Sequence, residues 1–115
     1  MKTDTLQKIA LDALEDLKGI NITAINVREL TSVTDVMIIC TGRSTRHVKS
    51  LAENVVKEAK KHHASYIRME GQREGEWVIV DLNDIVVHVM LAETRELYKL
   101  EDLWEIHVNT RARHR

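Results

Sequence analysis

A chain of 115 residues with 43% hydrophobic and 30% charged side chains has enough material for one buried core and too little for two, which excludes disordered and multidomain classes. A formal net charge of −1 excludes a broad electrostatic grip on nucleic acid, and no apolar run approaches the roughly 18 residues of a membrane span. The opening MKTDTLQK carries an acid and no apolar signal core, and the single cysteine leaves no internal disulfide, so the chain is expected to be cytoplasmic.

Leu6, Ile9, Ala10, Ala13, Leu14 and Leu17 recur at helical spacing and predict a first helix from about Thr3 to Lys18, stopped by Gly19. Ile22 to Val27 alternates as a short strand, with Ile25 and Val27 on its buried side. After a polar loop, Asp35 to Thr41 is apolar on both faces, as a strand covered on both sides must be, and Gly42 ends it. Cys40 inside that run reads as a small buried hydrophobe rather than a catalytic thiol.

Ser44 suits the N-cap of a second helix whose inward stripe is Val48, Leu51, Ala52, Val55 and Ala59, with Lys49, Glu53, Lys57 and Lys60 facing water. His62 and His63 at its end suit the negative end of the helix dipole; as neighbours on a helix they diverge, which makes them a poor metal pair. A strand from Tyr66 to Glu70 follows. The helix before it predicts a right-handed crossover that gives the sheet a parallel pair.

Gly71 and Gly75 bracket a turn into the stretch EGEWVIVDLNDIVVHVML, which ends at Leu91 and reads as a β-hairpin. A two-residue loop at Leu82-Asn83 would pair Val80 with Ile85 and Val78 with Val87 on one apolar face. The other face then carries Trp77, Ile79, Val86, His88 and Met90 and is also mostly apolar, so either helices of the same chain or a partner must cover it. Ala92 to Trp104 is predicted helical, with Leu97, Leu100 and Trp104 on one side, and the basic, aperiodic ending NTRARHR is expected to be disordered. The fold class is therefore α/β: a single domain with a mixed sheet in the order α-β-β-α-β-β-β-α, with residues 1–105 as the domain and 106–115 as the tail.

The catalytic reading starts at Gly42-Arg43-Ser44-Thr45-Arg46-His47, after a strand and opening a helix, where backbone amides and two arginines could hold a phosphate. The stretch lacks the glycines and lysine of a P-loop and the spacing of a dinucleotide fingerprint. A Gly-Ser at a helix start also occurs in nucleotidyltransferases, which need carboxylates on neighbouring strands to carry Mg²⁺. Asp81 and Asp84 are the only candidates, and both fall where Asp serves turn chemistry. A metal-dependent nucleotidyltransferase using Ser44, Asp81 and Asp84 is thus the alternative to a non-enzymatic binding protein. No cofactor fingerprint, metal motif or triad is found.

The segments TDVMIICTGRSTRHVKSLAENV from Thr34, EGEWVIVDLNDIVVHVM and ETRELYKLEDLW, in that order, resemble the ribosome silencing factor family, also called Iojap or RsfS. The likeness runs from the first helix to Trp104, with Asn83 standing where the family usually has Gly, a residue that tolerates the same left-handed turn. The resemblance implies a nucleotidyltransferase-like fold that works without catalysis and without a cofactor. It implies homodimers, and binding to protein fourteen of the large ribosomal subunit at the face where the small subunit joins. That binding would repress translation when nutrients are scarce. Carried onto the matching motif, it makes Trp77, Asp81, Leu82, Val86, His88 and Met90 the expected contact surface for the ribosomal protein, with no sequence-specific nucleic-acid binding and no membrane contact.

Overall fold

The computed structural model describes residues 2–29, 31, 32 and 34–99. Their order is α1 (Thr3–Asp16), β1 (Ile20–Asn26), β2 (Val36–Gly42), α2 (Thr45–Lys61), β3 (Arg68–Glu70), β4 (Trp77–Asp81), β5 (Ile85–Leu91) and α3 (Ala92–Tyr98). The five strands form one mixed sheet in the order β1-β2-β5-β4-β3, in which the only parallel neighbours are β2 and β5.

One face of this sheet is packed against α1 and α2. In α1 the buried residues Leu6, Ala10, Ala13 and Leu14 follow the i, i+4, i+7, i+8 spacing of a single stripe. In α2 the buried stripe is Val48, Leu51, Ala52, Val55 and Ala59, and Ser44 caps the helix by accepting from the His47 backbone N–H. The Asn54 side chain donates to the Ala13 carbonyl at 2.8 Å, tying the two helices together. Beneath them lie Ile38 and Cys40 of β2, Val78 and Val80 of β4, and Ile85, Val87 and Val89 of β5, all fully buried. Each such valine contributes on the order of 2 kcal/mol by leaving water.

The first helix ends at Asp16, two residues before the expected Lys18. Lys18, at φ 60°, takes the left-handed position, while the Lys18 and Gly19 N–H groups donate to the Glu15 and Leu14 carbonyls. Gly19 is needed for a different reason: a Cβ there would stand 2.5 Å from the Cys40 Sγ. At the turn 71–75 both glycines do take positive φ, and the Gly75 N–H donates to the Gly71 carbonyl.

Three further expectations are corrected. The strand that follows α2 begins at Arg68 rather than Tyr66 and pairs only with β4, so the chain crosses past β5 and β4 and the parallel pair is formed by β2 and β5 instead. The hairpin register is shifted by two residues, with Val80 opposite Val87 and Val78 opposite Val89. The cause is Leu82: it is 3% exposed in the helix-covered core and its N–H donates to the Ile85 carbonyl at 2.8 Å, so the two-residue turn falls on Asn83-Asp84, with Asn83 at φ 72°. Because the slip is even, every side chain keeps its predicted face. Finally, α3 closes at Tyr98, where Lys99 adopts φ 46° and its N–H donates to the Arg95 carbonyl. Leu100, Trp104 and the expected tail lie outside the described residues.

Candidate functional site: the second face of the sheet

Strand register places the side chains of the other face in rows. Ile25, Met37, Val86, Asp81 and Arg68 form one row across all five strands, Thr23, Ile39, His88, Ile79 and Glu70 the next, and Thr41, Met90 and Trp77 a third. Among the described residues, the seven-residue α3 is the helix that reaches this face, through Tyr98 on Trp77 and Arg95 on Thr23 and Thr41. The middle of the face is a small second core of Ile25, Val27, Met37, Ile39 and Met90, with Trp77 packed against it. Towards the β3 edge, Trp77, Ile79, Val86 and Asp81 remain half-exposed. On the edge strand itself, Arg68 and Glu70 form an exposed ion pair at 2.7 Å.

Trp77 is fixed in orientation. Its indole N–H donates to the His88 Nδ1 at 2.9 Å, and the two rings lie 5.9 Å apart at 48°. Accepting at Nδ1 requires a neutral imidazole with its proton on Nε2. Burial enforces the same state, pushing the His88 pKa down to about 4. The pair sits diagonally across β4 and β5, the reach at which large rings meet on adjacent strands. The result is a large amphipathic side chain held rigidly on an apolar, partly open surface, which is the composition of an interface anchor.

Five of the six residues expected to make the contact surface share this face: Trp77, Asp81, Val86, His88 and Met90. Leu82 does not, because it belongs to the core under the helices. Met90 is on the right face but 0% exposed, so it supports Trp77 from within and cannot itself be a contact. Ile79, which the alternation places on this face but which the motif did not single out, belongs to the accessible part. Tyr98, within the segment ETRELYKLEDLW, rests on the Trp77 ring with centroids 4.9 Å apart.

The residues of the catalytic alternative are not brought together. Gly42 lies opposite Leu91, whereas Asp81 lies opposite Val86, five residues away along β5, about 16 Å at the usual rise per residue. A magnesium ion needs its oxygen ligands at about 2 Å, so Ser44, beyond Gly42, cannot share one with Asp81 and Asp84. Each has a local partner as well. Ser44 caps α2, Asp81 accepts from the Asn83 backbone N–H at 2.8 Å, and Asp84 faces the Thr3 hydroxyl at 3.4 Å. Among the described residues no group of three or more His, Cys, Asp or Glu could hold a metal. Cys40 is buried, and desolvation pushes its thiol up to about 11, far from the thiolate a nucleophile needs.

The family model described as ribosomal silencing factor during starvation matches residues 1–114. The ribosomal silencing factor RsfS of Chromobacterium violaceum is 43% identical over 104 residues, covering 90% of this chain and 85% of that protein. A crystal structure of a protein from the same organism superimposes with a TM-score of 0.89 at 43% identity, over 91% of this chain and 88% of the other. A mouse protein named for mitochondrial assembly of the ribosomal large subunit is 40% identical over 76 residues, 64% of this chain and 33% of its own length. The fold is thus shared with a solved structure at 43% identity and most of the sequence with a protein named for silencing ribosomes, and the chain belongs to the ribosomal silencing factor family.

Proposed function

We propose that this protein is a non-enzymatic translation repressor that docks on the large ribosomal subunit through the second sheet face, at protein fourteen, and sterically blocks joining of the small subunit when nutrients are limiting. The observation that carries the reading is Trp77, rigidly oriented by His88 and half-exposed beside Ile79 and Val86. Affinity then comes from a desolvated aromatic anchor and its apolar neighbours, consistent with a chain whose net charge is −1. An interface of about 800 Å² per partner occludes a docking face without any turnover. In this reading the protein works in the cytoplasm, residues 1–105 form the binding domain, 106–115 are an appended basic tail, and free copies associate as homodimers.

The test is co-sedimentation of the full chain with purified large subunits. Trp77→Ala is expected to weaken binding by about 2 kcal/mol, roughly thirtyfold, while leaving the thermal unfolding transition cooperative. Small subunits added last should fail to join large subunits preloaded with the parent protein and should join those incubated with the variant. Equal binding by parent and variant would remove the assigned surface.

A further inference from the structure

We infer that the groove between α2 and β3, on the helical side of the sheet, is a second protein-binding site whose occupant is an acidic amphipathic helix of another protein. The groove has a volume of about 720 Å³ and is lined by Glu53, Val56, Lys57, Lys60, Lys61 and Met69. It arises where the helical layer gives out: α2 packs over β2, β5 and β4, and β3 continues the sheet one strand beyond β4. Met69, opposite Val80, faces the helical side from that last strand. Val56 and Met69 are half-buried and extend the main core to its edge.

Floor and rim together set the chemistry of the occupant. The floor is apolar, and the flexible thioether of Met69 adapts to the shape laid on it. The rim is cationic. Lys57, Lys60 and Lys61 stand at i, i+3 and i+4 on one side of α2, all exposed, and among the described residues Glu53 is the one acid lining the groove with them. Among the described residues none of the three lysines is held in an ion pair. Their stems lie along the floor and their ammonium groups stay in water, so the open groove costs the fold little. A partner helix alongside α2 and over β3 brings acids, at its own three- and four-residue spacing, to these ammonium groups and turns its apolar stripe onto Val56 and Met69. A nucleic-acid strand fits less well. It needs a long cationic track and an aromatic platform for its bases, whereas these lysines span about 6 Å of helix and no residue of the groove is aromatic. The sheet separates the groove from Trp77, so both sites can be filled at once and the inference stands independently of the ribosome-docking reading.

The experiment titrates the full chain with a labelled synthetic peptide of about 20 residues, long enough to hold a helix, with Leu on its apolar stripe and Glu at its polar positions. Fluorescence anisotropy gives the affinity and amide NMR gives the place. The same peptide with Lys in place of Glu and a single-stranded oligouridylate serve as controls. The acidic peptide is expected to bind, with shifts centred on residues 53–61 and 67–70, and the controls are not. Lys57→Glu combined with Lys60→Glu should weaken binding about tenfold or more, and its thermal melt should match the parent because both positions are exposed. Trp77→Ala should bind the peptide as the parent does. The site is overturned if the acidic peptide shows no saturable binding, if its affinity survives the double charge reversal, or if the basic control binds equally. Oligouridylate binding in place of the peptide would assign the lysines to nucleic acid instead. Loss of the peptide in Trp77→Ala would put it on the opposite face of the sheet and remove the groove.

Discussion

At the scale of single residues the fold holds one imidazole neutral at a cost that pH exposes. His88 has its pKa lowered from 6.5 to about 4 by burial, and its Nδ1 is occupied as an acceptor from Trp77. Between these two values the unfolded chain binds one more proton than the folded one at this site, so stability rises with pH across the window and is lost as pH falls through it. Going from about pH 7 to about pH 5 should remove about 2 kcal/mol through this group. Urea unfolding of the parent and of His88→Gln at both pH values checks it. The parent should lose that much more than the variant, and equal losses would place the pH dependence elsewhere. The same scale holds the Gly19 and Cys40 contact. Gly19→Ala should destabilise by about 1 to 3 kcal/mol through overpacking against the Cys40 Sγ. In the double variant with Cys40→Ala much of that loss should vanish; additive losses in a thermal-unfolding cycle would show that the strain comes from the Leu14 carbonyl instead.

At the scale of elements, what the sequence made legible was whatever depends on neighbours along the chain. Ser44 as a cap, the five-residue stripe of α2, the all-buried β2 and the left-handed Asn83 all follow from local rules, and the structure has each of them. What depends on distant partners was not legible. Nothing in α2 or β3 says that β5 will take the place beside β2, because that choice is made by burying β5 on both faces at the centre of the sheet. The hairpin register went the same way: the turn signal at Leu82-Asn83 was local, but the core under α1 and α2 claimed Leu82 and moved the pairing by two. Of the candidate site, the face was readable from alternation and the depth was not. Leu82 and Met90 look identical in sequence to accessible strand residues, and only the packing withdraws them. The cap is the element whose value is simplest to measure. Ser44→Ala should cost about 1 kcal/mol by leaving the His47 N–H without its acceptor, read as a lowered denaturant midpoint with an unchanged slope.

At the scale of the whole molecule, the sheet is two-faced, and successive residues of β5 have opposite duties. Val87 points into the core beneath α1 and α2 and is 0% exposed; Val86 points to the other face and is half-exposed in the row of Met37 and Asp81. The distinction is made by a single step along the chain, so the same substitution at the two positions separates folding from docking. Val87→Glu buries an uncompensated carboxylate and should cost about 4 kcal/mol or more, enough to lose the cooperative unfolding transition in a domain of ordinary stability. Val86→Glu leaves the carboxylate a path to water at the rim, so the fold should survive with a loss of about 1 kcal/mol, while the apolar face gains a charge that any docking partner must desolvate. Circular dichroism melting should therefore distinguish the two variants, and sedimentation with large subunits should fail for Val86→Glu although it is folded. A folded Val86→Glu that binds like the parent would place the ribosome contact on some other part of the surface.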